Sequence, residues 1–149
     1  MFAELWKALT GAAETKTPLP DPDARRALGA LLVRIAKSDG DYAVEEIARI
    51  DRVLAKRYGL DPVEAAKLRA ECETIEHDAP DTVRFTRAIK EAVPHEERMS
   101  VMEALWDVVL ADGQRADEED ALMRTVAPLL GLSDPESAEA RQRVEARRG

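Results

Sequence analysis

A short acidic stretch that occurs twice is the feature that most restricts the fold of this chain. "SDGDYAVEE" begins at Ser38, and "ADGQRADEE" begins at Ala111, 73 positions later. The likeness continues beyond these stretches, because Val53 matches Val126 and, after a one-residue gap, "YGLDP" aligns with "LGLSDP". Self-similarity at a fixed spacing indicates that one supersecondary unit is used twice. We therefore expect two related halves that share one core.

The rest of the sequence predicts helices rather than strands. Aromatic residues make up only 4% of the 149 residues, whereas strands draw on aromatic and β-branched side chains. Helix starts are marked where an aspartate that can act as N-cap precedes a proline suited to the first helical position. These pairs are Asp21-Pro22, Asp61-Pro62 and Asp134-Pro135. With apolar residues at helical spacing between them, we predict an all-α helical bundle of about seven to eight helices with an internal pseudo-two-fold repeat.

The chain is long enough for a single domain with one core. The predicted order is an N-terminal amphipathic helix, a linker, a first repeat half, a connector helix and a second repeat half, over residues 1–12, 13–20, 21–76, 81–93 and 94–148. The N-terminal helix carries Trp6 and should pack on the bundle, with a dimer contact or a membrane-surface foot as alternatives. Pro128 lies inside a predicted helix and should bend it or end it a turn early.

Charge and cysteine content exclude several classes of protein. The net charge of −8 would repel a phosphate backbone, so we expect no nucleic-acid partner. The only cysteine, Cys72, excludes an internal disulfide and fits a reducing, cytoplasmic compartment. No segment is apolar over the length of a bilayer, and the N-terminus lacks the layout of a secretory signal. We therefore expect a cytoplasmic protein that does not insert into a membrane.

The two acidic turns have both a structural and a ligand-binding interpretation. Glycine at a helix end and paired glutamates in the next helix's first turn are ordinary capping features. Asp39 and Asp112, however, each fall at the C-terminal end of a predicted helix, where the helix dipole disfavours a carboxylate. A local rule that is broken twice at the same place suggests a functional reason. A bound divalent cation would supply one.

The spacing D-G-x5-E reproduces the second half of the best known calcium loop. The first two carboxylates of that loop are missing, since Ile35 and Lys37 in one copy and Val108 and Leu110 in the other occupy their places. These are therefore not EF-hands, and we predict weak oxygen-only half-sites for Ca²⁺ or Mg²⁺ with Kd on the order of 10⁻⁴ to 10⁻³ M. The predicted ligands are Asp39, Asp41, Glu46, Asp112 and Glu119, with Asp117 or a backbone carbonyl as a further oxygen.

The segments "KSDGDYAVEEIARI" and "LADGQRADEEDALM" resemble the TerB-like domain of tellurite-resistance and stress-response systems, over roughly Ala24 to Pro135. The resemblance implies an all-helical, non-enzymatic domain with acidic metal-binding positions that works with partner proteins near the membrane. By this resemblance, the family's acidic metal-binding positions correspond to Asp39 and Glu46 in the first turn and to Asp112 and Glu119 in the second. The second turn departs from the first, because Gln114 stands where the first has Asp41 and Arg115 where it has Tyr42; a cation there would weaken that site.

Other chemistries have little support in the sequence. Cys72 and His77 lack the second pair of ligands that a zinc site needs, and His95 follows Pro94 as a solvated residue of a helix's first turn. No nucleophile motif or glycine-rich phosphate loop occurs, so we expect no enzymatic activity. The basic terminus "ARQRVEARRG" is either a solvated helix face or a docking patch for an acidic partner.

We therefore predict a non-enzymatic, divalent-metal-binding helical module that acts as an interaction or scaffold protein in a tellurite-resistance-like stress response. Its expected partners are proteins, including membrane-associated complexes, and a homodimer is open. The alternative is a purely structural protein–protein interaction domain whose acids only cap helices and aid solubility. An enzyme that uses Mg²⁺ on a phosphorylated substrate ranks third, because no basic phosphate clamp accompanies the acids.

Overall fold

The computed structural model describes residues 23–38, 40–79, 81–111 and 117–148. This part of the chain forms helices and no strands, which confirms the all-α prediction. The helices are α1 (Ala24–Lys37), α2 (Val44–Tyr58), α3 (Pro62–Asp78), α4 (Val83–Ala92), α5 (His95–Val109), α6 (Asp117–Leu129) and α7 (Asp134–Arg148). The predicted N-terminal helix over 1–12 and the linker over 13–20 lie outside the described residues.

One of the three predicted aspartate–proline helix starts is right and two are displaced. Asp61 caps α3 by accepting a hydrogen bond from the backbone N–H three residues on. α1 begins at Ala24 and is capped by Asp23, not by Asp21. α7 is capped by the hydroxyl of Ser133, so that Asp134 is already helical and Pro135 takes the second position. In both cases a second capping residue lies within two positions of the predicted one and forms the bond instead.

Helix α1 lies at the centre of the bundle. It packs against α2, α3, α4, α5 and α6, and its buried residues cover most of its circumference: Ala27, Leu28, Gly29, Ala30, Leu31, Leu32, Val33, Ile35 and Ala36. A helix that is apolar on nearly all sides is expected to be enclosed by its neighbours. α3 approaches α1 closely at Gly29, where an added Cβ would lie 2.2 Å from the Cys72 sulfur.

The second group of helices repeats the burial pattern of the first. Seven buried residues of α5 lie 73 positions after buried residues of α1: Val101, Met102, Ala104, Leu105, Trp106, Val108 and Val109. α6 begins at Asp117, again 73 positions after the start of α2 at Val44, and ends one residue after Pro128. α5 packs on α7 as α1 packs on α3. A two-fold symmetry between the halves stays a prediction, while the spacing of buried positions agrees with it.

Candidate metal site at the acidic turns

The helix end that precedes the first acidic turn is fixed by ion pairs to α3. Glu76 accepts hydrogen bonds from Lys37 Nζ at 2.8 Å and from Arg34 Nε at 3.1 Å. Burial opposes ionisation of the Glu76 carboxyl, but the hydrogen bonds from the two cations outweigh it and hold its pKa below the usual range. Arg34 also donates to the backbone oxygens of Glu76 and Ala79. The first acidic turn therefore starts from a firmly held point.

The residues just after this turn are tied to α3 as well. The hydroxyl of Tyr42 donates a 2.8 Å hydrogen bond to Glu73 Oε2, and burial together with this carboxylate raises the pKa of Tyr42. Arg69 completes the cluster, since it contacts both Glu73 and Asp51. Tyr42 thus ties the segment just before α2 to α3. Its counterpart in the second half, Arg115, lies outside the described residues.

Glu46 is the third residue of α2, and its side chain is almost completely enclosed, with 1% of the residue exposed. Its Oε1 accepts a 3.2 Å hydrogen bond from the backbone N–H of Ala43, and its Oε2 is also buried. Ala43 stands at the N-cap position without a polar side chain. The Glu46 carboxylate therefore satisfies a backbone donor at this helix end, as a capping glutamate does.

Glu119 is the third residue of α6 and shares this burial, again with 1% of the residue exposed. Other helices of the chain also carry glutamate at the third position, and those residues are more accessible to solvent. Glu64 in α3 is exposed and Glu136 in α7 is partly exposed, although each bonds to the backbone N–H of its N-cap residue. Capping alone therefore does not require a buried carboxylate, and burial of a charge is unfavourable unless partners compensate it.

Only part of the predicted ligand set falls within the described residues. Asp39 and Asp112 lie outside them, as does the side chain of Asp117. Asp41 is exposed to solvent, in contrast to the buried Glu46 and Glu119. Across the described ranges, no group of three or more His, Cys, Asp or Glu residues is arranged to hold a metal ion. The metal site therefore stays a prediction, to which the structure contributes the burial of its two glutamates.

The other candidate residues have structural surroundings. Cys72 is buried beside Gly29, and burial raises the pKa of its thiol to about 12, so it behaves as a small apolar residue. His77, five positions later, is exposed. His95 is exposed at the start of α5, with Nε2 3.6 Å from Glu136 Oε2. The exposure of His95 agrees with the expectation of a solvated residue in a helix's first turn.

The fold and the two turns define an all-helical domain in which two helices, α2 and α6, each follow an acidic connection and bury a glutamate in their first turn. The chain matches the family described as Tellurite resistance protein TerB over residues 25–142 and belongs to that family. This confirms the resemblance drawn from the repeated turns. No curated protein and no solved structure matches the chain. None of the described helices is long and apolar enough to cross a membrane.

Proposed function

We propose that this chain is a non-enzymatic interaction module of a tellurite-resistance-like stress response, and that its two acidic turns bind a divalent cation. The observation that carries the metal proposal is the burial of Glu46 and Glu119, which occupy the same position of two helices 73 residues apart. Membership of the TerB family supports the connection to tellurite resistance. We expect it to act in the cytoplasm with protein partners, some of them membrane-associated.

Carboxylate oxygens are the ligands that Ca²⁺ and Mg²⁺ prefer. The hydrogen bond from Ala43 to Glu46 Oε1 is compatible with ligation, since an ionised carboxylate has about four acceptor positions on its two oxygens. At 1% exposure solvent screens the two carboxylates little, so a cation beside them would be attracted more strongly than at the protein surface. Glu46 would act with Asp39 and Asp41 in the first turn, and Glu119 with Asp112 in the second. Few protein ligands imply weak binding, with Kd about 10⁻⁴ to 10⁻³ M.

A purely structural interaction domain is the alternative, and one contact favours it. Glu46 Oε1 accepts the backbone N–H of Ala43, which is the bond of a capping glutamate. On this account Glu46 and Glu119 stabilise the first turns of α2 and α6 and set the shape of the connections. No metal would then be needed, and function would depend on surfaces elsewhere.

A thermal melt of the EDTA-treated protein, titrated separately with Ca²⁺, Mg²⁺, Mn²⁺ and Zn²⁺ at fixed ionic strength, separates the two proposals. At a free cation concentration tenfold above Kd, binding should stabilise the fold by about 1.4 kcal/mol. For a chain of this size that corresponds to a rise in Tm of roughly 3–6 °C. The rise should saturate for the preferred cation.

The same titration of the Glu46→Gln, Glu119→Gln double variant should show no saturable rise. Glu64→Gln is the matched control, because Glu64 also occupies the third position of a helix and bonds to its N-cap residue but is exposed. The control should keep the full response to cation. An equal response in the double variant, or none in the unmodified protein at about 10 mM cation, tenfold above the weakest expected Kd, would exclude the metal proposal and leave the structural one.

A further inference from the structure

A groove of about 560 Å³ lies between α2, α5 and α7 and concentrates positive charge on an otherwise acidic chain. Six of its lining residues are cationic: Arg49, Arg52, Lys56, Arg57, Arg147 and Arg148. Only two are acidic, Glu103 and Asp107. The lining therefore carries a formal excess of four positive charges, whereas the whole chain carries a net charge of −8. This groove lies apart from the acidic turns' glutamates, none of which lines it.

The two acids hold some of the cations in place rather than neutralise the groove. Asp107 Oδ1 lies 2.6 Å from Arg148 Nη2 and 3.6 Å from Arg49 Nη1, so it joins α2 and α7 across α5. Glu103 Oε1 lies 2.6 Å from Arg147 Nη1. Guanidinium groups that are already oriented lose less side-chain entropy when they bind a ligand.

The remaining cations face the groove with their charge unmatched. Within the described part of the chain, the side chains of Arg52 and Lys56 are exposed and form no ion pair or hydrogen bond. Arg57 donates to the hydroxyl of Ser100 at 3.1 Å, which is a neutral partner. The apolar lining residues are Val53, Ala104 and Val144. The lining of the groove thus combines several cationic side chains with three apolar ones.

We propose that the groove between α2, α5 and α7 binds an acidic peptide segment of a partner protein. Arg52 lies between Arg49 and Lys56, which are seven residues apart on α2, about 10 Å along the helix. One carboxylate or phosphate group is too small to bridge that length. An extended peptide places side chains of one face about 7 Å apart, so two or three acidic residues would meet the cations in succession. Arginine pairs with carboxylates through two parallel hydrogen bonds.

The charge of the rest of the molecule favours a short acidic segment over nucleic acid. A duplex carries one negative charge per about 1.7 Å, and those outside the groove would face a chain of net charge −8. A short peptide can place all of its charge within the groove. This inference rests on the proposed interaction role and names the chemistry of the partner, but it does not depend on metal binding.

The test is fluorescence anisotropy of a labelled peptide of alternating glutamate and glycine, titrated with the full chain in EDTA at low and moderate salt. A peptide with glutamine in place of glutamate is the ligand control, and unlabelled inorganic phosphate and a short single-stranded DNA are competitors. We expect saturable binding of the glutamate peptide that weakens with salt, and none of the glutamine peptide. EDTA keeps the result independent of the acidic turns, so the two proposals can fail separately.

The decisive variant is Arg52→Gln, Lys56→Gln, which removes two exposed charges from the groove and should weaken peptide binding about tenfold. Its control is Lys67→Gln, Lys90→Gln, which makes the same charge change at exposed positions outside the groove and should change binding less than about twofold. Equal weakening in both pairs would mean general electrostatic attraction and overturn the proposal. Absence of saturable binding, or displacement at lower concentration by phosphate or DNA than by unlabelled peptide, would also overturn it.

Discussion

The two halves of the molecule, α1–α3 and α5–α7, bury residues at corresponding positions but pack with different side chains. In the first half, Gly29 on α1 faces Cys72 on α3 so closely that an added Cβ would lie 2.2 Å from the sulfur. The corresponding residues of the second half are Met102, 73 positions after Gly29, and Val144, 72 positions after Cys72. Both are buried, and each is larger than its counterpart. The burial pattern is therefore shared, while the size of the side chains between the paired helices is not. Cores tolerate such changes when total volume is kept.

Glu46 and Glu119 contrast with these variable positions. The halves also differ in helix caps elsewhere, since Asp61 caps α3 and Ser133 caps α7. Both glutamates nonetheless remain at the third position of their helix with 1% exposure. The buried apolar positions differ in side-chain size between the halves, but this buried glutamate is the same in both. Its role is therefore not simply to fill volume. This recurrence is consistent with the ligand role proposed for the two glutamates.

The largest expected effect comes from adding one methyl group to the closely packed half. Gly29→Ala would place its Cβ 2.2 Å from Cys72 Sγ and 3.1 Å from Cys72 Cβ, so α1 and α3 must move apart. We expect a loss of about 2 kcal/mol in the free energy of unfolding, because overpacking outweighs the roughly 1 kcal/mol gained in helix propensity. Denaturant titration measures the change.

The double variant Gly29→Ala, Cys72→Ala serves as the control for this effect. Removal of the sulfur opens space for the new methyl group, so the double variant should be more stable than the sum of the two single changes by about 1 kcal/mol. Additive effects would show that the close approach of α1 and α3 is not what limits the residue at position 29.

A smaller effect should distinguish the halves by pH. Glu76 of the first half is paired with Arg34 and Lys37. The corresponding residue of the second half, 72 positions later, is Arg148, which carries the opposite charge. The pKa of Glu76 is lowered in the folded state, so this carboxylate adds stability above its unfolded pKa of about 4.3, and that stability is lost as pH falls through the folded value. Glu76→Gln should cost about 1–2 kcal/mol at neutral pH and little in acid.

Urea unfolding at neutral pH and near pH 3 checks this expectation. The stability difference between the unmodified protein and Glu76→Gln should shrink at the lower pH. Glu45→Gln, which removes an exposed carboxylate from the first turn of α2, is the control and should leave the pH dependence nearly unchanged. A difference for Glu76→Gln that is the same at both pH values would mean that the ion pairs add no net stability.

The sequence predicted the helices well because their signals are local. Apolar residues at helical spacing and the glycines that follow α2 and α6 fix the course of the chain. The starts of α1 and α7 were harder, since Asp23 competes with Asp21 and Ser133 with Asp134. Any of these residues can act as N-cap. Proline is accepted in the first turn of a helix, so Pro135 does not distinguish a start capped by Ser133 from one capped by Asp134. The local sequence therefore does not by itself separate the two registers.

The candidate sites depend on contacts between distant segments, so the sequence predicted them less completely. The repeated turns identified Glu46 and Glu119, but their burial is produced by helices packed around them and has no local signal. The charge pattern of the sequence identified the basic terminus, but it did not distinguish a solvated helix face from a docking patch. That Arg147 and Arg148 share a groove with Arg49 and Arg52, nearly a hundred positions away in the chain, depends on the packing of both α2 and α7 against α5.

The smallest expected effect concerns the glycines that end α2 and α6. Gly59 and Gly131 have φ of 65° and 77°, so alanine at either position should cost about 1 kcal/mol. A Cβ at Gly59 meets nothing within 4 Å, whereas at Gly131 it would lie 3.0 Å from Arg98 Nη1. Arg98 donates to the backbone oxygens of Val93, Leu130 and Lys90, which limits its freedom to move. Gly131→Ala should therefore lower Tm by one or two degrees more than Gly59→Ala, which corresponds to a difference of about 0.5 kcal/mol in the free energy of unfolding.

Gly59→Asn is the control and should recover part of the loss caused by Gly59→Ala, because asparagine tolerates positive φ. A larger loss for Gly59→Ala would show that its turn, rather than the one beside Arg98, is the more constrained of the two.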